Sequence, residues 1–111
     1  MTMKSIKKRD GRTVAFDPAK IQAAIMKSFE ASGSAKGPET AEQLTQRVVE
    51  ELENNENIGS VPTVEEVQDT VERVLIEKGF VRSAKAYILY RAERSRVREI
   101  NTRLMKIFED I

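Results

Sequence analysis

The sequence predicts a mostly helical α+β fold, a four-helix domain with a small N-terminal β-hairpin lid. Three observations predict it. Asp10-Gly11 stands between two short β-prone runs. Beyond it, four stretches repeat apolar residues at helical spacing. Pro, Thr-x-x-Glu and Gly mark where those stretches begin and end. At 111 residues the chain is one domain by length. It is 40% hydrophobic but has only four Phe and two Tyr, so its core must be largely aliphatic.

The strands are expected over residues 4–9 and 13–16, with Ile6, Val14 and Phe16 as their apolar members. Gly11 tolerates the positive φ of a tight turn, and a two-residue hairpin loop follows from Asp-Gly. Asp17-Pro18 starts the first helix, because Asp caps free N–H groups and Pro fits the first helical position. Ile21, Ala24, Ile25, Ser28 and Phe29 form its buried stripe, and Gly33 stops it. Pro38 opens the second helix, lined by Ala41, Leu44, Val48 and Leu52 and ended by Asn54-Asn55. Residues 58–61 read as a short extended segment. Thr63 and Glu66 make a capping box for the third helix. Its stripe is Val64, Val67, Val71, Val74 and Leu75, closed by Gly79. A final helix is expected from about Ser83 to the end of the sequence. Val97, Ile100, Leu104, Ile107 and Ile111 recur along it at spacings of three and four, a heptad-like seam that the rest of the chain does not obviously cover. A dimer seam or a domain cut from a longer protein would account for such a stripe.

Charge is unevenly placed. Residues 1–36 hold eight Lys/Arg against three Asp/Glu, residues 37–77 two against eleven, and residues 78–111 nine against four. The two ends are therefore basic and the middle acidic, although the whole chain is only +1. There is no Cys and no His, which removes thiol nucleophiles, disulfides, zinc sites built on these residues and the commonest general base. No nucleophile–base pair is readable among the remaining residues, so no catalytic residue is expected. No run approaches membrane-spanning length and no signal-peptide core is visible, so a cytoplasmic location without membrane partners is expected.

Two cationic clusters suggest anion binding. Lys7, Lys8, Arg9 and Arg12 flank the hairpin turn. Strand alternation in a two-residue hairpin would put Lys7 and Arg9 on one face and Lys8 on the other. Lys20 follows on the first turn of the first helix, whose N-terminus itself favours anions. Arg91, Arg94 and Arg98 share a face of the last helix, with Tyr87 one turn before them. A Tyr above an Arg ladder suits a base and its phosphates, and a buried Tyr with solvated arginines is the alternative. A nucleic-acid-binding module and a helical oligomerisation module are the competing functional readings. The acidic middle and the lack of interleaved aromatics argue against nucleic acid.

Taken in order, Lys8-Arg9-Asp10-Gly11-Arg12, Phe16-Asp17 and Lys20-Ile21 resemble the opening of the ATP-cone. That is the regulatory nucleotide-binding domain of ribonucleotide reductases and of their transcriptional repressor. "TVEEVQDTVERVLIEKGF" and "AKAYILYRAERSRVRE" are similar to its second half, so the resemblance covers about residues 4–96. The tail "REINTRLMKIFEDI" looks most like the link after the cone in anaerobic, class III ribonucleoside-triphosphate reductases. The repressor is disfavoured, because its Cys-rich zinc ribbon has no counterpart here. The resemblance implies residues 1–96 as the nucleotide-binding domain and 97–111 as a helical extension toward a catalytic domain outside this sequence. It implies ATP as activating and dATP as inhibiting effector, with Mg²⁺, often through a change of homo-oligomeric state. It places Lys8, Arg9 and Lys20 on phosphate, wraps Val14, Ala15, Phe16 and Asp17 around the nucleotide, and sets Thr63 near the base.

Overall fold

The computed structural model describes residues 3–109. Within them a two-stranded antiparallel hairpin, β1 (Ser5–Lys7) and β2 (Thr13–Ala15), precedes four helices, α1 (Pro18–Ser32), α2 (Pro38–Asn54), α3 (Val64–Glu77) and α4 (Val81–Glu109). This is the expected mostly helical α+β fold. The principal packing runs round a ring, α1 on α2, α2 on α3, α3 on α4 and α4 back on α1.

The helix signals act as read. Asp17 accepts the backbone N–H of Ala19 at 3.0 Å, with Pro18 inside the first turn. Thr63 and Glu66 complete the capping box, at 3.1 Å and 2.9 Å. At Gly79, with φ +88°, α3 ends in a Schellman turn, the N–H of Phe80 reaching the carbonyl of Leu75 at 2.8 Å. That turn lets the chain re-enter a helix at once. The carbonyl of Phe80 already accepts from Ala84, so α4 begins at Val81, just before the expected Ser83.

The core is aliphatic apart from Phe29 and Tyr87. Ile25, Phe29, Val48, Leu52, Val71, Val74 and Leu75 are buried to within a percent or so. Phe29 meets Phe80 with ring centroids 5.5 Å apart. Buried Ser28, Thr45 and Thr70 satisfy their hydroxyls on the carbonyl one helical turn back. Ile6 and Phe16 pack against this core and hold the hairpin down.

Three local expectations are corrected. The strands are shorter than 4–9 and 13–16. The loop is not the two-residue type: Lys8 N–H bonds the Arg12 carbonyl at 2.7 Å and Gly11 N–H bonds the Lys8 carbonyl at 3.0 Å, leaving Arg9, Asp10 and Gly11 as a three-residue loop. Gly11, at φ +89°, takes the left-handed position such loops require. Residues 58–61 form bends and not a strand. The extended contact lies just after them, where Lys7 N–H bonds the Pro62 carbonyl at 2.9 Å and Lys7 bridges in parallel to Thr63.

The seam of α4 stands clear of the bundle. Val97, Ile100, Leu104 and Ile107 are exposed, as are Met105 and Phe108. Ile111, the last member expected in that seam, lies outside the described residues.

Candidate functional site

A cleft of about 250 Å³ opens between the hairpin, the start of α1, the first turns of α3 and the middle of α4. Its floor is apolar, made by Ile6, Val14, Phe16, Ile21, Val64 and Val67. Its rim is cationic, with Lys8 and Arg9 from the hairpin, Lys20 from α1, and Arg91, Arg94 and Arg98 from α4. Each wall follows from local sequence. Strand alternation sends Ile6 and Lys8 to the same side. Arg9 escapes that alternation because it sits in the longer loop. The Asp17-Pro18 start aims the first turn of α1, and with it Lys20, along the cleft. The spacing of three and four stacks the three arginines of α4 on one face.

The cleft gathers Lys8, Arg9, Val14, Ala15, Phe16, Asp17, Lys20, Tyr87, Arg91 and Arg94 of the residues singled out in the sequence. Lys7, Arg12 and Thr63 are not in its lining. Lys7 is on the opposite side of β1 from Ile6 and Lys8. Arg12 turns back to Asp10, its Nε donating at 2.6 Å, and borders an adjoining groove with Lys8, Arg9 and Arg98. The N–H and guanidinium of Arg12 hold the Asp10 carboxyl below its usual range. Thr63 spends its hydroxyl on the α3 cap, and its neighbour Val64 reaches the cleft instead. The expected split of Lys7 and Arg9 from Lys8 is thereby replaced by Lys8 and Arg9 facing the cleft together.

Tyr87 is buried in the core at the cleft floor, and burial pushes its phenol far above the ordinary value. The more exposed aromatic ring is Tyr90, which the sequence reading did not single out. The ammonium of Lys27 lies 5.6 Å from its ring centre and the guanidinium of Arg94 6.0 Å. Gln68 was also missed. It lines the cleft one residue after Val67, and its buried Oε1 has no hydrogen-bond partner among the described residues. A polar residue at the margin of the Val64–Val67 stripe was the available signal.

Two cations of the rim already have partners on α3. Arg9 Nε lies 3.2 Å from Glu65, and Arg91 Nη1 lies 2.8 Å from Asp69 and 2.6 Å from Glu72. Burial by itself would lower the pKa of Arg91, but those two bonds outweigh it and raise it. Lys8, Lys20, Arg94 and Arg98 have no ion pair among the described residues. Chemically, the arrangement offers an apolar bed for a flat ring and a row of cations for a polyanion, next to a helix N-terminus.

The family model described as ATP cone domain matches residues 4–96. The chain is 40% identical over 102 residues to a ribonucleoside-diphosphate reductase subunit alpha of Chlamydia muridarum, covering 86% of this chain and 10% of that protein. It is 40% identical over 116 aligned positions to a vitamin B12-dependent ribonucleoside-diphosphate reductase of Thermoplasma acidophilum, covering 98% of this chain and 14% of that protein. A Mycobacterium tuberculosis protein of the latter description is 31% identical over 93 residues. The chain thus spans 10 to 14% of the length of the first two relatives.

Proposed function

Since this chain belongs to the ATP-cone family, a regulatory domain that binds nucleotides, we propose that its cleft takes the allosteric effector of a ribonucleotide reductase, with ATP activating and dATP inhibiting. The observation that carries this reading is the cleft itself, an apolar floor ringed by six cations drawn from three separate elements. The phosphates lie on Lys8, Arg9 and Lys20, and the arginines of α4 close the other side. The Gln68 amide, whose buried Oε1 has no hydrogen-bond partner among the described residues, supplies both an acceptor and donors, the pair of functions that an adenine edge presents in complement.

The parent enzyme we propose is of the diphosphate-reducing kind. The expectation of an anaerobic triphosphate reductase rested on the tail alone, and the matched relatives are diphosphate reductases. Mg²⁺ would arrive on the triphosphate. No described helix is long and apolar enough to cross a membrane. The exposed seam from Val97 to Ile107 supports a helical extension covered by the remainder of the reductase chain or by a second copy.

Titrating ATP and GTP into the wild-type chain and Gln68→Leu tests the reading. The wild type is expected to prefer ATP. The variant should lose roughly ten- to hundredfold of that preference, the worth of one two-point amide–base contact, while still binding inorganic tripolyphosphate. Equal affinity of the wild type for both nucleotides would contradict it.

A further inference from the structure

Glu65, Asp69 and Glu72 follow one another at spacings of four and three, so they form a carboxylate ladder on one face of α3. The ladder grips both walls of the cleft. Glu65 holds Arg9 of the hairpin at 3.2 Å, and Asp69 and Glu72 converge on a single nitrogen of Arg91 at 2.8 Å and 2.6 Å. Arg91 and Glu72 are well covered, with side chains only 20% and 23% exposed, so this pair is less screened by solvent than the outer ones. These are the same guanidiniums that face the cleft.

We propose that the α3 ladder is an internal competitor for the anion. It draws Arg9 and Arg91 onto α3, and a bound polyphosphate takes them over. The proposal rests on the polyphosphate reading of the cleft and adds regulation to it. Binding exchanges protein carboxylates for phosphate oxygens on both guanidiniums. It therefore loosens the hairpin and α4 from α3 as it fills the cleft. The ladder costs affinity, and in return couples occupancy to the position of α4, the helix that carries the exposed seam. A ligand shifts such an arrangement only by its differential contacts in the two states, and the exchanged arginines supply them.

The test is a double-mutant cycle on the chain, read by calorimetric titration of ATP and of inorganic tripolyphosphate. Glu65→Gln is expected to tighten both ligands by roughly two- to fivefold, the worth of one exposed pair. Glu42→Gln, which removes the same charge from α2 outside the ladder, should tighten them less. The gain from Glu65→Gln should vanish in an Arg9→Gln background, and the gain from Asp69→Asn in an Arg91→Gln background. Melting temperatures establish that each variant is folded, and the two pairs test the ladder independently. Gains no larger than that of Glu42→Gln, or gains that persist without the arginine, would overturn the ladder while leaving the nucleotide reading intact. A wild type that takes up neither ligand would remove that reading and the ladder with it.

Discussion

Alanine at both Lys8 and Lys20 is expected to abolish measurable ATP uptake while the melting temperature of the chain barely changes. The two ammonium groups come from different walls, one from just past the end of β1 and one from the first turn of α1. Neither side chain has an ion pair or hydrogen bond among the described residues, so its removal breaks no such contact of the fold. A hydrogen bond to a charged group contributes about 1.5–3 kcal/mol, so losing two weakens binding by roughly a hundredfold to ten-thousandfold. Surface substitutions of this kind stay within about 0.5 kcal/mol in stability. Calorimetric titration beside a thermal melt separates the two quantities. Undiminished ATP binding by the double variant would show that the phosphates lie elsewhere.

Phe29→Ala should have the largest effect on stability. Phe29 is only 1% exposed, packs its ring at a tilt of 41° against Phe80, and lies on the same helix as Lys20 and Ile21. Truncating a buried Phe costs about 3–5 kcal/mol through lost burial and the cavity left behind. Domains of this size have a total stability of about 5–15 kcal/mol, so the variant sits close to unfolding. Urea titration should show a lower midpoint with an unchanged slope. Saturating ATP should recover part of the loss, because a ligand that binds only the folded state stabilises it by mass action. A midpoint equal to that of the wild type would contradict the packing described here.

Much of this fold was legible because its signals are local. Asp17-Pro18, the Thr63–Glu66 box and Gly79 each satisfy backbone groups within a few residues, so the sequence shows them directly. Val48, Leu52, Val71 and Val74 were legible as a core because helical periodicity alone assigns them to one face. The loop length escaped, since Asp-Gly serves both two- and three-residue hairpins. The choice depends on how Lys8 and Arg12 pair across the strands. That one difference moved Arg9 beside Lys8, while strand alternation kept Lys7 on the other side.

Cleft residues were readable where a charge had no other evident task, as with Lys8, Lys20 and the α4 arginines. They were not readable where the role is set by what another helix brings near. Gln68 offered only its place beside the Val64–Val67 stripe and Tyr90 no distinguishing pattern, and the packing of α3 and α4 against the hairpin turns them into cleft residues. Thr63 shows the converse. It adjoins the cleft residue Val64, but it is not in the lining and its hydroxyl is committed to the helix cap.

The central claim is that the cleft selects an adenine nucleoside triphosphate. Isothermal titration of the chain with ATP, dATP and GTP in the presence of Mg²⁺ tests it most directly. The account predicts saturable binding of ATP and dATP and markedly weaker heat from GTP. A folded sample that binds none of the three, or that binds GTP as tightly as ATP, would contradict it.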